Sequence, residues 1–200
     1  SSQLIAPSLG PLPGEKILDA CAAPGGKSTH IAELMNNEGK IWSVDRSSRR
    51  SKKIFANTER LGINCLQLLV SDSNELLAKH PEWKSFFDRI LIDAPCSGLG
   101  TLARHPDARW RMNKDNIQQL VLLQSQLLNS LAPLLKNGGK LVYSTCTIHP
   151  EENFNQIKIF LQSKSEFFLE HEKQIWPGEE DNGDGFYIAV LSKLKINKLN

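Results

Sequence analysis

Short apolar runs of strand length alternate along this chain with longer stretches in which apolar residues recur every three or four positions. Residues 16–20 (KILDA), 40–45 (KIWSVD), 64–70 (NCLQLLV), 88–93 (DRILID) and 140–145 (KLVYST) read as buried strands. Between them, residues 27–35, 47–61 and a short stretch at 74–80 read as helices. After a long polar loop, Leu120, Leu123, Leu127, Leu131 and Leu134 predict a helix over 114–136, closed by Asn137-Gly138-Gly139. A further helix is expected over 150–162, opening with Pro150 and two Glu, which suits the positive end of a helix. Two last strands, near 167–174 and 185–191, are joined by an acidic, glycine-containing turn at 178–184 and predict a hairpin.

Strands alternating with helices imply right-handed crossovers and a mostly parallel sheet covered on both faces, with the hairpin adding antiparallel strands. The expected fold is a doubly wound α/β sheet of Rossmann-like type. Its 200 residues suit one domain, with residues 1–13 as a lead-in. No apolar run approaches the ~18 residues of a spanning helix, and the opening lacks the charged start and apolar centre of a secretory signal. Ser1 stands where a Met would open a complete chain, so an excised piece of something longer is expected. Net charge is +2. Arg46, Arg49, Arg50, Lys52 and Lys53 cluster, as do Arg104, Arg109, Arg111 and Lys114; Glu179, Glu180, Asp181 and Asp184 gather near the end. On charge alone, solvated faces are favoured over a nucleic-acid footprint. Cys21, Cys65, Cys96 and Cys146 form no C-x-x-C pair, and the five histidines are scattered, so no metal is expected. Free thiols in a reduced cytoplasm are the expectation.

In open α/β sheets ligands bind outside the carboxyl ends of the strands. Those ends carry Asp19, Cys21 and the Pro24-Gly25-Gly26 turn, then Asp45, then Ser71-Asp72, then Asp93 with Cys96, and last Ser144 with Cys146. The glycine turn opens into a helix, so its backbone can approach a ligand closely. Asp45 follows Gly25 by 20 residues, the usual interval to a carboxylate that takes ribose hydroxyls. A tight strand-to-helix turn with Asp45 as a helix-start residue is the plainer alternative. Gly26-Lys27-Ser28 resembles the end of a P-loop, but Cys21 stands where that motif needs Gly, and no G-x-G-x-x-G follows the first strand. With both phosphate cradles missing, an adenosine ligand without a pyrophosphate is favoured, and S-adenosylmethionine is the leading candidate. Cys96 and Cys146 follow strands that should be neighbours, which places two thiols on one rim. A reactive thiol needs a nearby cation or helix N-terminus, since its ordinary pKa is about 8.5; the helix expected at Pro150 could serve Cys146.

The letters DACAAPGGK (19–27), DAPCSG (93–98), RHPD (104–107) with Trp110, and YSTCT (143–147) running into PEEN (150–153) resemble the RNA cytosine carbon-5 methyltransferases. They are most similar to the bacterial Sun (Fmu) branch, which modifies small-subunit ribosomal RNA. The likeness extends from Ser1 to the GDGF turn at 183–186. It implies a class I S-adenosylmethionine-dependent methyltransferase that acts on a cytosine of 16S ribosomal RNA through a covalent cysteine–cytosine intermediate. Cys21, Ala22, Ala23, Pro24, Gly25, Gly26 and Lys27 would wrap S-adenosylmethionine, Asp45 would hold its ribose, Asp72 its adenine side, and Asp93 would face both its methionine part and the target base. The resemblance, not the spacing, makes Cys146 the nucleophile and Cys96 the thiol that helps release product. It also implies a cytoplasmic, monomeric protein with RNA as partner, without membrane or metal. That branch carries an N-terminal RNA-binding region, including a NusB-like domain, which these residues do not contain. Arg104, His105, Arg109 and Trp110 follow Cys96 and could engage RNA, or Trp110 could anchor the loop. The alternatives are the same reaction on transfer RNA, a non-catalytic S-adenosylmethionine-binding RNA-binding module with structural cysteines, and, weakened by the absent fingerprint, a dinucleotide oxidoreductase.

Overall fold

In the computed structural model, which describes residues 2–106, 110, 112–179 and 183–195, the apolar runs are strands: β1 (Lys16–Asp19), β2 (Lys40–Asp45), β3 (Leu66–Val70), β4 (Phe87–Asp93), β5 (Leu135–Thr145), β6 (Phe167–Ile175) and β7 (Phe186–Lys193). They form one sheet in the order β3-β2-β1-β4-β5-β7-β6. The first five pair in parallel, while β7 runs antiparallel to both β5 and β6. The expected doubly wound sheet with its antiparallel hairpin is the observed one. After β3 the chain returns to the other side of β1, so the strand order reverses between β1 and β4, and ligands of such sheets sit outside the carboxyl ends there.

A parallel sheet is buried on both faces, so its strands are apolar at consecutive positions instead of alternating ones. In β4, Ile90 and Ile92 face one cluster and Leu91 the other; in β5, Leu141 and Tyr143 flank Val142 in the same way. The first cluster takes Leu76 from α4 (Leu76–Lys79), Leu127, Leu128 and Leu131 from α5 (Lys114–Leu131), and Ile157 and Phe160 from α6 (Phe154–Ser163). The second takes Ile31 and Ala32 from α2 (Gly26–Leu34), and Ile5, Ala6 and Leu9 from α1 (Ile5–Leu9). Helix α3 (Ser48–Leu61) starts at Ser47, whose side chain caps the Arg50 amide, and stops at left-handed Gly62. Among the described residues no helix is long and apolar enough to cross a membrane.

Three local readings are corrected. The segment expected as a lead-in contains α1, whose Ile5, Ala6 and Leu9 are core residues. The long helix stops at Leu131, not 136, because Pro133 cannot donate; a 3-10 turn over Ala132–Leu134 follows, and Asn137-Gly138-Gly139 lies inside β5. The helix expected from Pro150 is a 3-10 turn (Pro150–Glu152) that breaks at Asn153 before α6 begins.

Candidate active site

The turn after β1 places its backbone beneath the sheet edge. Gly25 adopts φ 104°, and a Cβ there would lie 3.1 Å from the Ile54 Cα of α3, so only glycine lets the turn pack and start α2 at Gly26. The Asp45 carboxylate, at the tip of β2, is almost fully buried. It accepts hydrogen bonds from the Ala23 and Ser47 amides (3.2 and 2.8 Å) and from Arg50 (2.9 and 3.0 Å). It thus ties the glycine turn to the start of α3, as the helix-start alternative required, and also lines a recess. That recess, of about 40 Å³, has walls of Ala20, Cys21, Asp45, Arg50, Ser71, Asp72 and Asn74, closed by Leu123 and Leu127. Asp72 Oδ1 accepts from the Asn74 backbone amide (2.9 Å), and the Asn74 side-chain Oδ1 on the same wall is buried without a hydrogen-bond partner. A second recess, of about 350 Å³, lies on the other side of the turn between Ala22, Ala23, Pro24, Gly26, Lys27 and Asp93.

Between the recesses and β5 stands a charged group. Lys27 Nζ lies 2.6 Å from Asp93 Oδ2, and Ser144 Oγ donates to Asp93 Oδ1 (2.8 Å). Burial works against the Lys27 charge, but the Asp93 carboxylate outweighs it and holds the ammonium above its ordinary pKa. Beside this pair, the adjacent strands β4 and β5 bring Cys96 and Cys146 together, with Sγ atoms 3.3 Å apart. The thiols are opposed electrically. The hydrogen bond from Cys96 draws the Cys146 pKa below that of an ordinary thiol, with Lys27 acting in the same direction, while that bond, burial and the charges of Cys146 and Glu152 push Cys96 well above it. Of the two thiols, Cys146 is therefore the one that ionises first. The cation beside Cys146 is Lys27 from the glycine turn; the helix end expected at Pro150 is only a three-residue 3-10 turn. Burial, reinforced by Asp19, Asp93 and Asp45, keeps Cys21 a thiol and makes it a wall.

Asp19, wholly buried, accepts from Ser28 Oγ (2.6 Å) through Oδ2, while its Oδ1 has no partner. Burial pushes its pKa from 3.8 to about 6, against the Ser28 hydrogen bond and with help from Asp93. Because the folded-state value is raised, stability is fully present below pH 3.8 and falls as pH rises toward 6, by about 3 kcal/mol in all. The Asp19→Asn protein, which keeps an acceptor for Ser28, is expected to melt higher than the parent at pH 8 and to match it more closely at pH 4. Thermal melts at both values check this, and an equal gap at the two would contradict it.

The polar loop after Cys96 is pinned from behind. Arg104 pairs with Asp184 in the turn between β6 and β7, and Gly100 donates to the Cys146 carbonyl (3.0 Å) while accepting from Gly185 N (2.8 Å). A Cβ on Gly100 would come within 2.2 Å of Gly185 O, so glycine is required. The basic loop and the acidic turn thus meet each other. Trp110 is 87% exposed and so does not anchor the loop. Arg109, like Asp107, Arg111, Glu180 and Asp181, lies outside the described residues.

Sequence reasoning missed Arg50 on Asp45, Ser144 on Asp93, and the buried pair Gln124 and Glu152 behind the thiols. The signal for Gln124 was its place in the leucine stripe: it stands between Leu120 and Leu127 at a core-facing position.

A family model described as 16S rRNA methyltransferase RsmB/F matches residues 6–192. The probable ribosomal RNA small subunit methyltransferase B of Synechocystis is 43% identical, covering 96% of this chain and 46% of the relative. The ribosomal RNA small subunit methyltransferase B of Photorhabdus laumondii is 44% identical, with the same coverage. The chain therefore spans about half the length of the curated relatives it matches. Among solved structures, NSun6 from Pyrococcus horikoshii with SFG superposes with a TM-score of 0.86 at 33% identity, covering 97% of this chain and 52% of that one.

Proposed function

Since this chain belongs to the 16S rRNA methyltransferase RsmB/F family, we propose that it transfers a methyl group from S-adenosylmethionine to carbon 5 of a cytosine in 16S ribosomal RNA through a covalent Cys146–cytosine intermediate. The observation that carries the reading is the thiol pair, 3.3 Å apart and oppositely polarised, next to the Lys27–Asp93 ion pair. Two thiols of opposite character fit a reaction that must form and then break a carbon–sulfur bond; a binding module has no use for the asymmetry.

The residues around the glycine turn fit S-adenosylmethionine. Asn74 Oδ1 is a buried acceptor without a partner on the wall shared with Asp72 and Asp45, as an adenosine with amino and hydroxyl donors requires. Asp45 would take the ribose, Asp72 and Asn74 the adenine side, and Cys21, Ala22, Ala23, Pro24, Gly25, Gly26 and Lys27 the stretch toward the methionine part. The SFG in the NSun6 structure, an analogue of S-adenosylmethionine, supports the choice of cofactor. When bound, the sulfonium supplies an electrophilic methyl.

Carbon 5 of cytosine is a weak nucleophile. Cys146 thiolate adds to carbon 6, the carbon 5–carbon 6 double bond opens, and carbon 5 becomes enamine-like and able to take the methyl. Negative charge develops toward N3 during addition. The Lys27 ammonium, held 2.6 Å from Asp93, answers that charge, while the Asp93 carboxylate faces the base edge and accepts from its exocyclic amino group. The proton on carbon 5 passes to water, its electron pair re-forms the carbon 5–carbon 6 double bond, and the carbon–sulfur electron pair returns to Cys146 as thiolate. Cys96 S–H receives the departing thiolate and restores the resting pair. A stacked base cannot be reached in this way, so the target must be single-stranded or flipped out.

The test is incubation with methyl-labelled S-adenosylmethionine and unmodified 16S ribosomal RNA, then digestion to nucleosides and mass spectrometry. Label in 5-methylcytidine is expected. Label in another nucleoside would overturn the cytosine assignment, and preferential labelling of transfer RNA would overturn the substrate.

A further inference from the structure

The Glu152 side chain is fully buried, yet no part of the chemistry above uses it. It belongs to the PEEN segment that follows Cys146, in the 3-10 turn Pro150–Glu152. Its Oε2 accepts from the Ser97 amide (2.9 Å) and Gln124 Nε2 (3.0 Å), and its Oε1 accepts from Ser97 Oγ (2.5 Å). Burying a carboxylate is costly unless its lone pairs are filled. Here the donors filling them are Ser97, which follows Cys96, and Gln124 from α5.

Ser97 immediately follows Cys96, and its hydroxyl also lies 2.8 Å from Thr147 Oγ1, on the residue immediately after Cys146. Gln124 Nε2 donates a second bond to the Pro95 carbonyl (2.9 Å), on the residue immediately before Cys96. The Glu152 carbonyl accepts from Tyr143 OH (2.7 Å), three residues before Cys146. The carboxylate therefore holds the Cys96 segment at Ser97 directly and at Pro95 through Gln124, while the Glu152 backbone carbonyl ties the same turn to β5. Ser97, Gln124, Thr147 and Glu152 are all buried, so solvent does not compete for these bonds.

We propose that Glu152 is a positioning residue that fixes the Cys96 loop against the Cys146 strand end and thereby sets both the separation of the two thiols and which of them ionises first. Geometry supplies the first part: release of Ser97 frees the loop on the side of Cys96 that faces Thr147. Electrostatics supplies the second: the hydrogen bond with Cys146 and burial oppose ionisation of Cys96, and the Glu152 charge adds to them. Gln124 is the second arm of the same clamp. This inference deepens the covalent reading above and rests on it.

The test is competitive alkylation with iodoacetamide between pH 6 and 9, with Cys96 and Cys146 quantified separately by peptide mass spectrometry, on the parent and Glu152→Gln. In the parent, Cys146 is expected to react first. In Glu152→Gln, which keeps the shape and loses the charge, the Cys146 to Cys96 reactivity ratio is expected to fall by about fivefold or more. The maximal methylation rate should drop by about tenfold or more while the KM for S-adenosylmethionine stays within about twofold. A purely structural residue would lower the melting temperature and leave the ratio where it was; a folded Glu152→Gln with an unchanged ratio overturns the proposal. If Glu152→Gln does not fold, Ser97→Ala decides the matter. It removes the bridge to Thr147 and keeps the Ser97 amide, and the same fall in ratio supports the clamp while an unchanged ratio refutes it. Because alkylation needs no RNA, the clamp can fail while methylation of cytosine stands, and the reverse.

Discussion

Cys146→Ala is expected to lose methyl transfer by roughly 10⁴-fold or more under single-turnover conditions while still folding and binding S-adenosylmethionine. The size of the effect follows from the chemistry: without addition at carbon 6, carbon 5 has no electron density to offer, and the remaining residues only hold the reactants together. The fold is expected to tolerate the change. Cys146 sits half-buried at the rim of the second cluster, and its amide and carbonyl bonds to Cys96 and Gly100 do not depend on the side chain. Rapid-quench measurement of labelled methyl in RNA gives the rate, and calorimetry with S-adenosylmethionine gives the affinity. A variant that retains a tenth of the parental rate would remove Cys146 from the mechanism.

Cys96→Ala is expected to do something different: to transfer one methyl group and then stay attached. The carbon–sulfur bond to Cys146 must break with the electron pair returning to sulfur, and the group placed to receive that charge is the Cys96 thiol, 3.3 Å away. Without it, steady-state turnover should fall by about 10²-fold or more while the first transfer is slowed much less. A protein–RNA species resistant to denaturant should then accumulate with ordinary RNA and S-adenosylmethionine. Denaturing gels with labelled RNA show whether it does. Turnover loss without such a species would mean that Cys96 acts before or during addition, not in release.

Much of this arrangement could be read from the letters, and the reason is topological. A parallel sheet sends all its carboxyl ends to one edge, so residues directly after each apolar run, from Asp19 to Cys146, had to share a rim. Cys96 and Cys146 are 50 residues apart, but their strands are adjacent in register, with Asp93 opposite Ser144. Helix α1 was not legible because five residues with Pro7 among them give no period to detect. Leu134 prolonged the leucine period beyond the real helix end because periodicity ignores the missing N–H of Pro133. Roles that depend on side-chain partners across the fold were hidden as well. Arg104 carried the expectation of an RNA contact, yet it pairs with Asp184, and Glu152 looked like part of a helix start although its carboxylate reaches Ser97, 55 residues earlier.

The electrostatic order of the site follows from the same geometry. Lys27, Asp93, Asp45 and Asp19 converge because the glycine turn and the strand tips converge, and the raised pKa of Asp19 comes chiefly from its burial there, with Asp93 adding to it. A single substitution at either thiol should therefore change chemistry with little change in fold, whereas Asp19→Asn should shift stability.

The most direct measurement of the central claim is to trap the protein on 16S ribosomal RNA containing 5-azacytidine, in the presence of S-adenosylmethionine, and to map the adduct after nuclease and protease digestion. Nitrogen at position 5 has no proton to lose, so the intermediate cannot resolve. A nucleotide is expected on the peptide that contains Cys146, in the parent and in Cys96→Ala, and none in Cys146→Ala. A nucleotide on Cys96, or an adduct that survives in Cys146→Ala, would contradict that claim.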